Sequence, residues 1–134
     1  MGEAWRWLSG VMKALTKAER EIVRLRCRGR CAYCGIQLGK NWHADHMEPV
    51  RRVFGQATHP ERHTLDNLWP SCHRCNIDKW ALSLKAWRAQ LEDSCARLER
   101  NYGTYRHAVR FGQIVPRPRP IVFFFELNRR RIVV

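Results

Sequence analysis

The chain has 134 residues, enough for one domain with a modest core and a small addition. Its 25 Lys and Arg outweigh 12 Asp and Glu, and the formal net charge of +13, spread from Arg20 to Arg131, points to a polyanionic partner. No apolar run approaches the length of a bilayer span, and Arg6 and Lys13 interrupt any signal-peptide core, so the sequence argues against a membrane protein and predicts an intracellular, cytoplasmic one.

Residues 1–15 carry Trp5, Trp7, Leu8, Val11, Met12 and Leu15 at spacings compatible with a short amphipathic helix. Thr16-Lys17-Ala18-Glu19 matches a capping box, which predicts a helix from Lys17 to about Cys27, ending near Gly29. The stretch 30–40 reads as a knuckle around Cys31-Ala-Tyr-Cys34, with Gly35 and Gly39 permitting tight turns. A short strand within 41–50, a long surface loop over 51–66 and a second strand near 65–70 follow. A helix then opens around Cys72 and runs to about Ala81. Leu84, Trp87, Leu91, Cys95 and Leu98 mark one face of a longer helix from Ser83 to Arg100. The segments 111–115 and 121–127, joined by a Pro-Arg-Pro-Arg-Pro turn, suggest a terminal strand pair. The expected division is an N-terminal helical segment at 1–29, a core at 30–82, and a C-terminal helix and strand pair at 83–134 packed on the same domain.

Six cysteines in a reducing compartment call for something other than disulfides. Four of them form two pairs with a two-residue gap, Cys31/Cys34 and Cys72/Cys75. That gap lets both sulfurs of a knuckle face one ion, so the two pairs together supply the tetrahedral set of a structural zinc. A disulfide framework and a finger-like set of Cys31, Cys34, His43 and His46 are the competing assignments. The second leaves one cysteine pair idle and fits the usual finger spacing poorly. Cys27 and Cys95 read as buried thiols.

The segment enclosed by the knuckles is unusual in its chemistry. His43-Ala44-Asp45-His46-Met47-Glu48-Pro49 sets a carboxylate beside an imidazole, Leu65-Asp66-Asn67-Leu68 follows, and Asn76-Ile77-Asp78-Lys79 comes directly after the last cysteine. In this order of parts, from about Arg30 to Trp80, the sequence resembles the HNH nuclease superfamily with its ββα-metal fold. The resemblance implies an α+β fold: a ββα-metal core with a four-cysteine zinc knuckle, flanked by helices and the C-terminal strand pair. It further implies a DNA endonuclease with His46 as general base, Asp45 and Asn76 as ligands of a catalytic metal, and Asn67 as the residue fixing the loop that bears the histidine. Asn76 stands where many members carry histidine, which makes this an HNN variant. Lys79 would hold a phosphate, and cleavage would leave a 5′-phosphate. The flanking elements look like those of small stand-alone phage or bacterial members, which implies phage packaging proteins as partners beside DNA.

Elementary chemistry agrees with these roles. Phosphodiester hydrolysis needs an activated water and stabilisation of charge on phosphoryl and leaving oxygens. An imidazole can take a proton from water at neutral pH. One carboxylate and one amide oxygen, both hard ligands, suit Mg²⁺ or Mn²⁺. Arg51 and Arg52 are candidate phosphate contacts. Read alone, His46 is more often a hydrogen-bonded structural residue, Asn67 a turn residue, Asn76 a helix cap and Lys79 a solvated side chain. The six tryptophans read first as packing. Two other function classes remain open: a zinc-stabilised nucleic-acid-binding module without catalysis, and an accessory factor that engages another protein through Trp5/Trp7 or Phe123-Phe124-Phe125.

Overall fold

A computed structural model describes residues 12–131. Helix α1 (Lys17–Leu25) starts where the capping box puts it: the Thr16 side chain accepts from the Glu19 N–H, and the Glu19 carboxylate accepts from the Thr16 N–H at 2.8 Å. Strands β1 (His43–His46) and β4 (Leu68–Ser71) pair antiparallel, with Asp45 opposite Trp69 and His46 opposite Leu68. Helix α2 (His73–Lys79) follows β4 directly, completing a β-β-α unit. The segment expected as one surface loop contains a small hairpin, β2 (Arg52–Val53) with β3 (Gln56–Ala57), turned at Phe54 and Gly55, both at positive φ. Two 3-10 turns, Pro60–Arg62 and Leu65–Asn67, lead back to β4.

The helix expected over 1–15 lies largely outside the described residues, and those described, from Met12 to Leu15, are not helical. One compact unit comprises the described residues up to Leu84 together with those from Val122 onward; Lys85–Ile121 form another. The first is built on Val23, Trp42 and Leu68, with Leu15, Leu38, Ala44 and Leu65 packed against them. Arg20 lies 3.9 Å over the Trp42 ring and donates to its carbonyl, so α1 is tied to the segment entering β1. The helix expected from Ser83 to Arg100 is divided into α3 (Leu84–Glu92) and α4 (Ser94–Asn101). Asp93 and Ser94 interrupt it, residue types that favour caps over helix interiors. Helix α5 (Gly103–Arg110) follows, and Ile121 is fastened to α3 by bonds from its N–H to Glu92 and from Arg88 to its carbonyl.

The C-terminal strand pair does not form. Residues 113–123 are unpaired, and Phe124–Arg131 is a helix, α6. The N–H groups of the expected ladder are used elsewhere: that of Gln113 bonds the Ala108 carbonyl behind α5, and that of Ile121 bonds the Glu92 carboxylate. The next donors go elsewhere: Phe124 N–H to the Tyr33 carbonyl and Phe125 N–H to that of Ala32. Phe123 and Phe125, considered above as a partner-binding run, are buried instead, edge-on to the Tyr33 ring, with Phe125 also against Trp69. A Cβ at Gly35 would stand 2.8 Å from the Phe124 ring, so the knuckle turn needs glycine for space as well as for its φ of +77°. No described helix is long and apolar enough to cross a membrane.

Candidate active site

The four expected zinc ligands come together. The sulfurs of Cys31, Cys34, Cys72 and Cys75 all lie within 4.8 Å of one another, and Cys34 and Cys72 are 3.8 Å apart. Zinc–sulfur bonds of about 2.3 Å in a tetrahedron give an edge of about 3.8 Å, so the cluster fits the ion. The Cys31 N–H bonds the Ile36 carbonyl to close the first knuckle, while Ala32 N–H bonds the Pro70 carbonyl and fixes that knuckle to β4. A hydrogen bond from Cys75 pulls the Cys31 thiol down to about 4, so the cluster already favours a thiolate there. His43, a member of the finger-like alternative, faces His73 at 3.1 Å.

A cleft of about 290 Å³ opens beside β1 and α2. It is lined by Asp45, His46, Asn76, Arg51, Arg52 and Trp80. The strand places Asp45 and His46, and the helix that begins at the second knuckle brings up Asn76. Asp45 is buried, and its Oδ2 accepts from the Tyr33 hydroxyl at 2.5 Å and lies 3.1 Å from the Lys79 ammonium. Burial pushes its carboxyl upward in pKa against the pull of Lys79 and Tyr33. Its Oδ1 and the Asn76 side chain have no hydrogen-bond partner among the described residues, which leaves two hard oxygens for a divalent cation.

Burial pushes the His46 imidazole down to about 4, with His63, Arg52 and Lys79 adding to the effect. The surroundings therefore favour the uncharged ring. Its Nε2 lies 2.8 Å from His63 Nδ1. Asn67 clamps the segment after His46: its amide nitrogen donates to the carbonyls of Glu48 and Arg62, its oxygen accepts from Glu48 N–H, and its own carbonyl accepts from Met47 N–H.

Residues 31–81 match the family model described as HNH endonuclease. This segment is an HNH endonuclease domain. No curated protein and no solved structure matches the chain. The family acts on DNA as nucleases, so the HNH domain accounts for a polyanionic partner, in keeping with the chain's positive charge.

One expected role does not survive the geometry. Lys79, assigned above to a phosphate, has a fully buried side chain whose ammonium donates to the His46 carbonyl at 2.8 Å and pairs with Asp45. An ammonium withdrawn from water needs such partners, and none of it reaches the surface. Three residues of the HNH domain escaped the sequence reading. Tyr33 sits between the first two cysteines, where nothing in the spacing signals a bond to Asp45. His63 lies in a loop, four positions before Asn67, and carried no motif. Trp80, expected to pack, is 78% exposed at the rim of the cleft and has a φ of +47°.

Proposed function

We propose that the HNH domain is a metal-dependent endonuclease that hydrolyses DNA phosphodiester bonds with His46 as general base. The observation that carries this reading is the convergence of Asp45, His46 and Asn76 on one cleft flanked by Arg51 and Arg52. Asp45, through Oδ1, and Asn76 would hold a divalent ion, Mg²⁺ or Mn²⁺ by the hardness of the donors. When bound, such an ion supplies charge stabilisation at the phosphoryl and leaving oxygens. His46 removes a proton from the attacking water. Its burial keeps the ring unprotonated, and an arriving phosphate, being anionic, raises its basicity. Asn67 keeps the residues after His46 from shifting. Arg51 and Arg52, exposed at the cleft, bind the flanking phosphates, and the zinc cluster fixes the start of α2 relative to β4. Trp80 is placed to stack on a base or a sugar.

A zinc-stabilised binding module without catalysis is the second reading. It is favoured by one observation: the Lys79 ammonium already neutralises Asp45, which lowers the pull on a divalent ion. Supercoiled plasmid incubated with the full chain and Mg²⁺ or Mn²⁺ separates the two. Nicked or linear product is expected from the wild-type chain, and a loss of about 10³-fold or more from His46→Ala at unchanged zinc content. Retention of DNA binding with no cleavage by the wild-type chain would establish the binding module instead, and equal cleavage by both proteins would remove His46 as base.

A further inference from the structure

We propose that His63 sets the tautomer of His46, so that Nδ1 of His46 is the atom that takes the proton from water. The inference rests on the nuclease reading above and deepens it by assigning a positioning residue. A chain of three groups carries it, and its first member has a fixed role. The Lys13 carbonyl oxygen can only accept, and His63 Nε2 lies 2.9 Å from it, so this nitrogen bears the hydrogen. In a neutral imidazole the other nitrogen then presents a lone pair. His63 Nδ1 lies 2.8 Å from His46 Nε2, which makes His46 Nε2 the donor. With its hydrogen on Nε2, the imidazole of His46 has its lone pair on Nδ1, and that nitrogen has no hydrogen-bond partner among the described residues. His46 lines the cleft that holds Asp45 and Asn76.

His63 is well placed for the task. The residue is buried, its backbone N–H closes the 3-10 turn Pro60–Arg62 on the Pro60 carbonyl, and the ring is held at both nitrogens, by the Lys13 carbonyl and by His46. The proton balance is complete. Water gives a proton to His46 Nδ1, its oxygen bonds phosphorus, and the bond from phosphorus to the 3′ oxygen breaks. The 3′ oxygen then takes a proton from solvent. His46 becomes an imidazolium whose Nε2–H faces the His63 lone pair, and the bond between the rings strengthens because its donor is now charged. A protonated His63 would reverse the chain, placing the hydrogen on His46 Nδ1 and leaving no base in the cleft.

Long-range ¹H–¹⁵N spectra of the labelled, zinc-loaded full chain at neutral pH test the assignment directly. His46 and His63 are both expected as Nε2–H tautomers, and a His46 carrying its hydrogen on Nδ1 would overturn the proposal. His63→Phe keeps the ring volume but removes the acceptor. It is expected to lower kcat by about 100-fold, to change KM little, and to give His46 a mixed tautomer spectrum. His63→Asn restores an acceptor oxygen and should recover about tenfold of that loss. Full activity in His63→Phe, or equal impairment of both variants at wild-type melting temperature, refutes the role. Should His63→Phe fail to fold, the wild-type spectra and the Asn variant decide. An inactive wild-type chain would sink the nuclease reading, while the spectra would still settle which nitrogen of His46 bears the hydrogen.

Discussion

The sulfur cluster and the cleft proposed to take a catalytic cation are built on opposite plans. The sulfur cluster draws four ligands from two knuckles and holds all of them within 4.8 Å, so the chain provides the entire coordination shell. The cleft beside β1 offers one carboxylate oxygen and one amide, with a buried ammonium 3.1 Å from the other carboxylate oxygen. A closed set serves stability, because binding energy becomes folding energy. An open set leaves room for water and phosphate, and its affinity depends on the substrate that completes it. The difference teaches that ligand count separates a scaffold from a working site more reliably than the presence of donors.

Breaking the closed site should have the largest effect. Cys72→Ser removes one of four sulfurs and also the group that accepts from the Cys75 N–H at the start of α2. The expected result is loss of the cooperative melt and of zinc stoichiometry, since zinc contributes on the order of 10 kcal/mol to small domains of this kind. Calorimetry and metal analysis on the same sample check it; a native melt with full zinc would contradict the plan drawn above.

Next in size is the ammonium under the open site. Lys79→Met removes the partner of a buried carboxylate and is expected to cost about 3 kcal/mol, read from denaturant melts. Asp45 would then keep only the Tyr33 bond to offset its burial, so its pKa rises further. Protonation relieves the unpaired charge, and the stability deficit relative to wild type should therefore shrink as pH falls into the carboxylate range. A deficit that grew on acidification would show that Asp45 is not the group left behind.

The smallest effect belongs to the rim. Arg52→Ala should weaken DNA binding by about tenfold and reduce the salt dependence of the binding constant by about one counterion, with little change in the melt. Titrations at several ionic strengths measure both, and an unchanged salt slope would take Arg52 off the phosphate backbone.

What could be read from the sequence was whatever is encoded locally. The capping box at Thr16 and Glu19 and the two-residue gap within each cysteine pair depend on neighbours a few positions apart. Lys79 was misassigned because its partner is far away in sequence. A lysine near the end of a short helix looks solvated until Asp45 and the His46 carbonyl are seen beneath it. Tyr33 and His63 were missed for the same reason, each bonded to the site across a gap no spacing rule spans. The C-terminal strand pair failed differently. Phe123, Phe124 and Phe125 have strand-like composition, but the carbonyls of Ala32 and Tyr33 captured the N–H groups of Phe124 and Phe125, and α6 continued from there.

That docking of the C-terminal segment has a consequence for the order in which the site is completed during synthesis. Phe123 and Phe125 wall in Tyr33, and Tyr33 holds Asp45. The ribosome makes the knuckle, β1 and α2 first, yet the aromatic lid over Tyr33 emerges only after the whole of Lys85–Ile121 has been translated. The nascent chain can thus assemble its sulfur cluster early and finish the surroundings of Asp45 late. Such timing delays completion of the cleft's surroundings until residues well beyond the HNH domain have been made.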